Sequence, residues 1–136
     1  MAKTWQEKLN ANNQPKLQVL EKSMAGIPVG GVLFVPTPQL VKQFMDGIPK
    51  GGSVTIAQMR KQIAQTHNGD GSCPLTTSTS ARIVAEAAWE EIQAGKDPEQ
   101  VTPFWRAIEP DSSVAKKLAC GSAFIEHLRN LEGIEK

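Results

Sequence analysis

The stretch STSARIVAEAAWEEIQAG, residues 78–95, decides how the rest of the chain is read. Ala81, Val84, Ala85, Ala88 and Ile92 recur at steps of three and four, which places them on one face of a helix. The spacing predicts the longest helix of the chain, from about Ser78 or Ser80 to Ala94, stopped by Gly95. Its alanines let a neighbouring element approach closely and lose little side-chain entropy on burial. The segment just before it, PLTTSTS (residues 74–80), is rich in hydroxyls that suit a helix cap and that an anion at a helix N-terminus would also find. A long helix with a small-residue stripe needs other elements around it, and the flanking sequence supplies them.

Upstream, TWQEKLNA reads as a short helix ending near Asn12–Asn13. A second helix is expected from Pro15, with Leu17, Leu20 and Met24 on one face, stopped by Gly26 and Pro28. GGVLFVP (residues 30–36) is a short run of branched apolar residues and reads as a buried strand or extended segment ended by Pro36. Thr37–Pro38 fits an N-cap and first helical residue, opening a helix with Leu40, Val41, Phe44 and Met45 inward. Ser53 or Thr55 is placed to cap the next helix, which carries Ile56, Met59, Ile63 and Ala64 inward before the polar loop Asn68–Gly71. Downstream, Pro103 pushes Thr102 toward extended geometry, so Val101–Ile108 reads as a strand or an ordered crossing segment. The tail is helical in pattern and divided or bent at Gly121, with Ile125, Leu128 and Leu131 on nearly one face. The sum is a mostly α domain with a few short strands, without internal repeats.

A chain of 136 residues at 40% apolar content is one ordinary domain with a real core. Fifteen Lys plus Arg against fourteen Asp plus Glu gives a formal charge of +1, less basic than most free nucleic-acid binders, although a local patch is compatible with that total. Two cysteines, Cys73 and Cys120, make no disulfide framework and are expected as reduced thiols. The N-terminal residues lack the apolar core of a secretion signal and no run approaches a membrane helix, so a cytoplasmic protein is expected.

In order along the chain, IPKGGSVTIAQMRKQIA, TSARIVAEAAWEE, PFWRAI and LRNLEG resemble the C-terminal DNA-binding domain of O6-alkylguanine-DNA alkyltransferases and of alkyltransferase-like proteins. The resemblance runs from about Leu40 to Gly133. It implies a winged-helix-like core over residues 37–136, with residues 1–36 as a helical extension packed on it. It also implies residue roles. Arg82 matches the arginine finger that fills the gap left by a flipped base, and Thr55 matches the helix-opening threonine. Ile56 stands where the family has the tyrosine that turns the backbone phosphate. Phe104 stands at the alkyl-accepting cysteine and Trp105 at the histidine that activates it. Arg106 keeps the family arginine, and Glu132 resembles the glutamate that orients the histidine. Asp97–Pro98 lies nearest the family asparagine, displaced by one residue.

These departures remove the chemistry. Alkyl transfer needs an activated thiolate, whereas phenylalanine has no nucleophile and tryptophan cannot act as a base. No catalytic residue, metal or cofactor is therefore expected. The expected function is noncatalytic nucleic-acid binding, directed at duplex DNA with a modified base. Thr55, Arg60, Lys61 and Arg82 are the candidate DNA contacts. Phe104, Trp105 and Arg106 would line a pocket for an extruded base. The local charge agrees: residues 50–82 hold Lys50, Arg60, Lys61 and Arg82 against Asp70 alone.

Each residue also has a plainer reading. Phe104 and Trp105 can be packing residues. Arg82 can pair with Glu86 one turn on. With no histidine at position 105, Glu132 reads as a last-turn charge or cap partner. His67, Cys73, Cys120 and His127 form no recognised zinc pattern. Two other functions stay open: a scaffold that has lost DNA binding and holds a small apolar molecule or a protein partner, and a thiol enzyme using Cys73 or Cys120.

Overall fold

The computed structural model describes residues 4–11, 14–24 and 26–134. The chain is mostly helical with a small three-stranded sheet. In order it forms α1 (Trp5–Leu9), β1 (Lys16–Val19), β2 (Val32–Val35), α2 (Pro38–Asp46), α3 (Ile56–Thr66), β3 (Gly71–Ser72), α4 (Pro74–Gln93), two 3-10 turns (Pro98–Gln100 and Phe104–Arg106), α5 (Ser113–Lys117) and α6 (Ser122–Leu131).

Helix α4 is the axle. Ala81, Val84, Ala85 and Ala88 are buried as their spacing requires, and α1 and α2 pack along the helix. It is stopped by Gly95, whose φ of +110° suits glycine. It begins earlier than its apolar stripe suggests, at Pro74 with Cys73 as N-cap, and no side chain caps it. The hydroxyls of residues 74–80 lie inside the helix rather than ahead of it. Thr77 shows why: its Oγ1 donates to the Cys73 carbonyl at 2.7 Å, a back-bond that satisfies a hydroxyl within a helix. Thr77 and Ser80 are buried with the alanines.

The other helices follow their caps. Thr37 Oγ1 accepts from Leu40 N at 3.3 Å, with Pro38 in the first turn of α2. Thr55, not Ser53, opens α3: its hydroxyl accepts from Gln58 N, and Gln58 Oε1 accepts from Thr55 N in return. Val41, Met45, Met59, Ile63 and Ala64 reach the core. Gly121 separates α5 from α6 with a φ of +81°. Ile125 and Leu128 are buried, whereas Leu131 is exposed. Six residues beyond Ile125, at about 100° each, turn Leu131 well away from the shared face.

The helix expected from Pro15 is instead strand β1, antiparallel to β2 with Lys16 opposite Val35 and Val19 opposite Val32. Three apolar residues at helical spacing were outweighed by pairing with β2 across a Gly-rich return. Leu20 N donates to Gly31 O and Gly30 N donates to Leu20 O, each at 2.9 Å. Gly31 is required there, since a Cβ would lie 2.3 Å from Ile27 Cγ2. Residues 1–36 thus hold one short helix and two strands among the described residues, not a helical extension. Asn12–Asn13, where the first helix was expected to end, lie outside the described residues. β2 pairs in parallel with β3, leaving β1 at the sheet edge with all four of its residues exposed. Of the two readings of 101–108, strand or ordered crossing, the structure takes the second: its centre is the turn Phe104–Arg106.

Candidate nucleic-acid interface

The crossing segment carries a dense set of side-chain hydrogen bonds. Phe104 is 0% exposed and Trp105 3%, and their rings meet edge to face at 5.4 Å between centroids. The turn conformation explains how two consecutive large rings both point inward, which a strand would forbid. Trp105 Nε1 donates to Glu132 Oε2 at 2.9 Å. Arg106 donates to both oxygens of the same carboxylate, Nε to Oε1 and Nη2 to Oε2, each at 2.8 Å. Arg106 Nη1 donates to the Ile48 carbonyl at 2.8 Å, and Gly51 N donates to Glu132 Oε1 at 3.0 Å. From the far side, Arg129 Nη1 donates to the Trp105 carbonyl at 2.8 Å.

Four donors therefore converge on one buried carboxylate. Burial alone would raise the Glu132 pKa. The hydrogen bonds from Arg106, Gly51 and Trp105, together with the Arg106 charge, overcome burial and hold it down at about 2. Two expectations change as a result. Glu132 is not a loose last-turn charge; its carboxylate accepts from the indole N–H of Trp105 and twice from Arg106, and so fixes both side chains. Of the expected pocket residues, Trp105 and Arg106 border the larger concavity described below, whereas Phe104 is sealed in the core; Trp105 shows little of its ring, and the guanidinium of Arg106 is spent on Glu132 and Ile48.

Arg82 lies elsewhere. Because α4 begins at Pro74, Arg82 sits two turns inside the helix rather than at its start. Its guanidinium lies over the Trp5 ring of α1, 5.2 Å from the centroid, and its Nε is 3.6 Å from Glu86 Oε2. That ion pair is the i, i+4 alternative read from the sequence. Glu86 is only 3% exposed and also accepts from Ala119 N at 3.2 Å. Arg82 thus shares no cavity with the Phe104–Trp105 pair among those described below, and the arginine-plus-rings hollow expected from the resemblance is absent there.

The remaining candidates fall on α3 and its approaches. Thr55 is the cap just described. Arg60 is half-buried and Lys61 exposed; the Arg60 Nε has no hydrogen bond among the described residues. Lys50 makes a surface pair with Glu99 at 3.6 Å. Asp70, the acid of this stretch, accepts from Val32 N at 2.7 Å and so helps hold β2. Ile56 N donates to Glu109 Oε1 at 2.9 Å. On α4, Leu75 is 76% exposed and Thr79 is exposed.

Two concavities accompany these elements. The larger, about 1020 Å³, runs between α6 and the 96–103 segment, with an apolar wall of Phe124, Leu128, Leu131 and Pro103 and a rim of mixed charge. The smaller, about 510 Å³, lies by Thr55, Gln58, Glu109 and Arg129. Neither cysteine is in a disulfide. Burial, and then the Glu86 carboxylate, push the Cys120 thiol up to about 11, so it stays protonated and unreactive at neutral pH. Cys73 Sγ accepts from Thr76 Oγ1 at 3.3 Å. His67 stacks on Phe34 at 4.6 Å, and His127 is exposed on the rim of the larger groove. Among the described residues no group of His, Cys, Asp and Glu could hold a metal, and no helix is long and apolar enough to cross a membrane.

No family model, curated protein or solved structure matches this chain. Sequence could not have shown that Glu132 collects Trp105, Arg106 and Gly51, because the partners are far apart in the chain. The one available signal was the resemblance read at PFWRAI and LRNLEG.

Proposed function

We propose that this chain is a noncatalytic nucleic-acid-binding protein that docks duplex DNA on α3 and the first turns of α4, in a winged-helix-like arrangement. One observation carries the reading. From Gly47 to Ala85 the chain has Lys50, Arg60, Lys61 and Arg82 against one acid, Asp70, and that acid is engaged by the β2 backbone. Exposed Leu75 and Thr79 on the opening turns of α4 suit contacts with a sugar or a thymine methyl, and the cations of α3 suit phosphates. The sealed rings change the mode of binding from the one the resemblance implies. With Phe104 sealed and Trp105 nearly so, neither ring offers a free face to an extruded base, so the intact duplex is the ligand, and plain and alkylated duplexes are bound alike. The test is fluorescence anisotropy with both duplexes across a salt series. Affinity should fall with salt, and Arg60→Ala or Lys61→Ala should each reduce the slope of log K against log salt by about 1. Absence of salt-dependent binding to either duplex would end the proposal.

A second reading rests on the larger groove. Phe124, Leu128 and Leu131 lie along α6 at its wall, which fits a small apolar molecule or a protein segment. It predicts that Leu131→Asp abolishes the interaction while leaving DNA affinity unchanged. A thiol enzyme finds no support at Cys120, whose proton is held to about 11.

A further inference from the structure

Resting on the DNA reading, we infer that helix α1 restrains that interface, with Trp5 occupying the face of the Arg82 guanidinium that a nucleic-acid group would need. A guanidinium binds nucleic acid in two ways: its edge donates to phosphate or base oxygens, and its flat face stacks on a base. Here both are engaged by the chain itself. The Trp5 ring lies against the guanidinium at 5.2 Å and stands where a nucleobase would stack. The Glu86 carboxylate lies 3.6 Å from Nε, beyond good hydrogen-bond length, and Nε makes no hydrogen bond among the described residues. Nε is itself buried, so the clasp holds Arg82 by ring contact and charge, and phosphate would meet the part of the side chain that stays exposed. The side chain is still 39% exposed, so an incoming duplex can reach it.

Specific contacts hold the strap in place. Gln6 Nε2 donates to the Ala87 carbonyl at 2.6 Å, and Gln6 N donates to Glu90 Oε1 at 3.1 Å. A capping box between Thr4 and Glu7 closes the first turn of α1, and Leu9 is buried in the core. Trp5 also meets a second cation: Lys8 Nζ lies 4.2 Å from the ring centroid. Trp5 thus carries two cations, and when Arg82 turns to DNA the ring keeps Lys8. Binding at Arg82 is set against the loss of one cation–π contact, which makes the restraint weak and reversible.

The experiment compares the full chain with Trp5→Leu, which keeps an apolar side chain but removes the ring, by anisotropy on a plain labelled duplex at low salt. Arg82→Ala and the Trp5→Leu/Arg82→Ala double variant complete the cycle. Trp5→Leu should bind about two- to five-fold more tightly, the factor expected for an exposed cation–π contact. The gain should vanish in the Arg82→Ala background. Equal or weaker binding by Trp5→Leu, beside measurable binding by the parent chain, overturns the strap and leaves the DNA reading standing. A gain that persists without Arg82 overturns it too. No binding by any variant removes the DNA reading and the strap together. Should Trp5→Leu melt below the assay temperature, Gln6→Ala, which deletes the bond to Ala87, should give a smaller gain with the same dependence on Arg82; no gain there overturns the inference.

Discussion

Two arginines, Arg106 and Arg82, lie beside tryptophans and glutamates, yet their surroundings differ in one respect. Arg106 donates to Glu132 twice and to Ile48 once, all at 2.8 Å, and Trp105 donates to the same carboxylate. Arg82 faces Glu86 at 3.6 Å and rests on Trp5 without a hydrogen bond from Nε. The first cluster is saturated, so its charges hold structure. The second has residual capacity, so its charge can be redirected. Side-chain identity alone does not separate the two arginines; the count of good hydrogen bonds does.

The largest effect should come from breaking the saturated cluster. Glu132→Ala leaves the Arg106 guanidinium buried without its counter-charge and should cost about 3–5 kcal/mol in urea unfolding. A cost below about 1 kcal/mol, the range of surface ion pairs, would erase the contrast with Arg82. Phe104→Ala should cost about 3–5 kcal/mol as well, because it opens a cavity in the core; a ring at the lip of an open pocket would cost far less. Trp105→Phe keeps most of the packing and removes one hydrogen bond to a charged acceptor, so about 1.5–3 kcal/mol is expected.

The contrast also has a pH signature. The folded pKa of Glu132 is about 2 against an ordinary 4.5. A depressed carboxylate contributes its stability in full above the unfolded value and loses it as pH falls through the folded one. Urea midpoints should therefore drop between about pH 4.5 and pH 2, and Glu132→Gln should flatten that limb. An unchanged limb in Glu132→Gln would mean that other carboxylates carry the acid sensitivity. The smallest effect belongs to Lys61→Ala, which should change stability by under about 0.5 kcal/mol while weakening DNA binding at low salt. A destabilisation above 1 kcal/mol would mean that Lys61 is structural rather than free for a ligand.

What was legible in the sequence followed from local physics. The caps at Thr37 and Thr55, the stripes through Val41–Met45 and Ala81–Ala88, the glycine stop at Gly95 and the division at Gly121 are written in neighbouring residues and recur in the fold. Strand β1 was missed because Leu17, Leu20 and Met24 satisfy a helical period while Leu17 and Val19 satisfy a strand period, and pairing with β2 decides between them. The start of α4 was missed because hydroxyls suggest caps, whereas Thr77 bonds back within the helix. Of the site, the residue identities were legible and their arrangement was not. Glu132 meets Trp105 across 27 positions, and Trp5 meets Arg82 only because α1 packs on α4. Both are products of tertiary packing.

The edge position of β1 has a practical consequence for anyone handling the protein. Leu17 and Val19 stand exposed on a strand whose outer backbone edge has no neighbouring strand among the described residues, with exposed Met24 and Val29 close by in sequence. Such a strand is a template on which a second chain can add. Its shortness, with Pro15 before it and Lys16 at its first position, keeps that template small. Concentrated stocks should begin to self-associate at this hairpin, and a charged residue in place of Val19 is the substitution to try first for a longer shelf life.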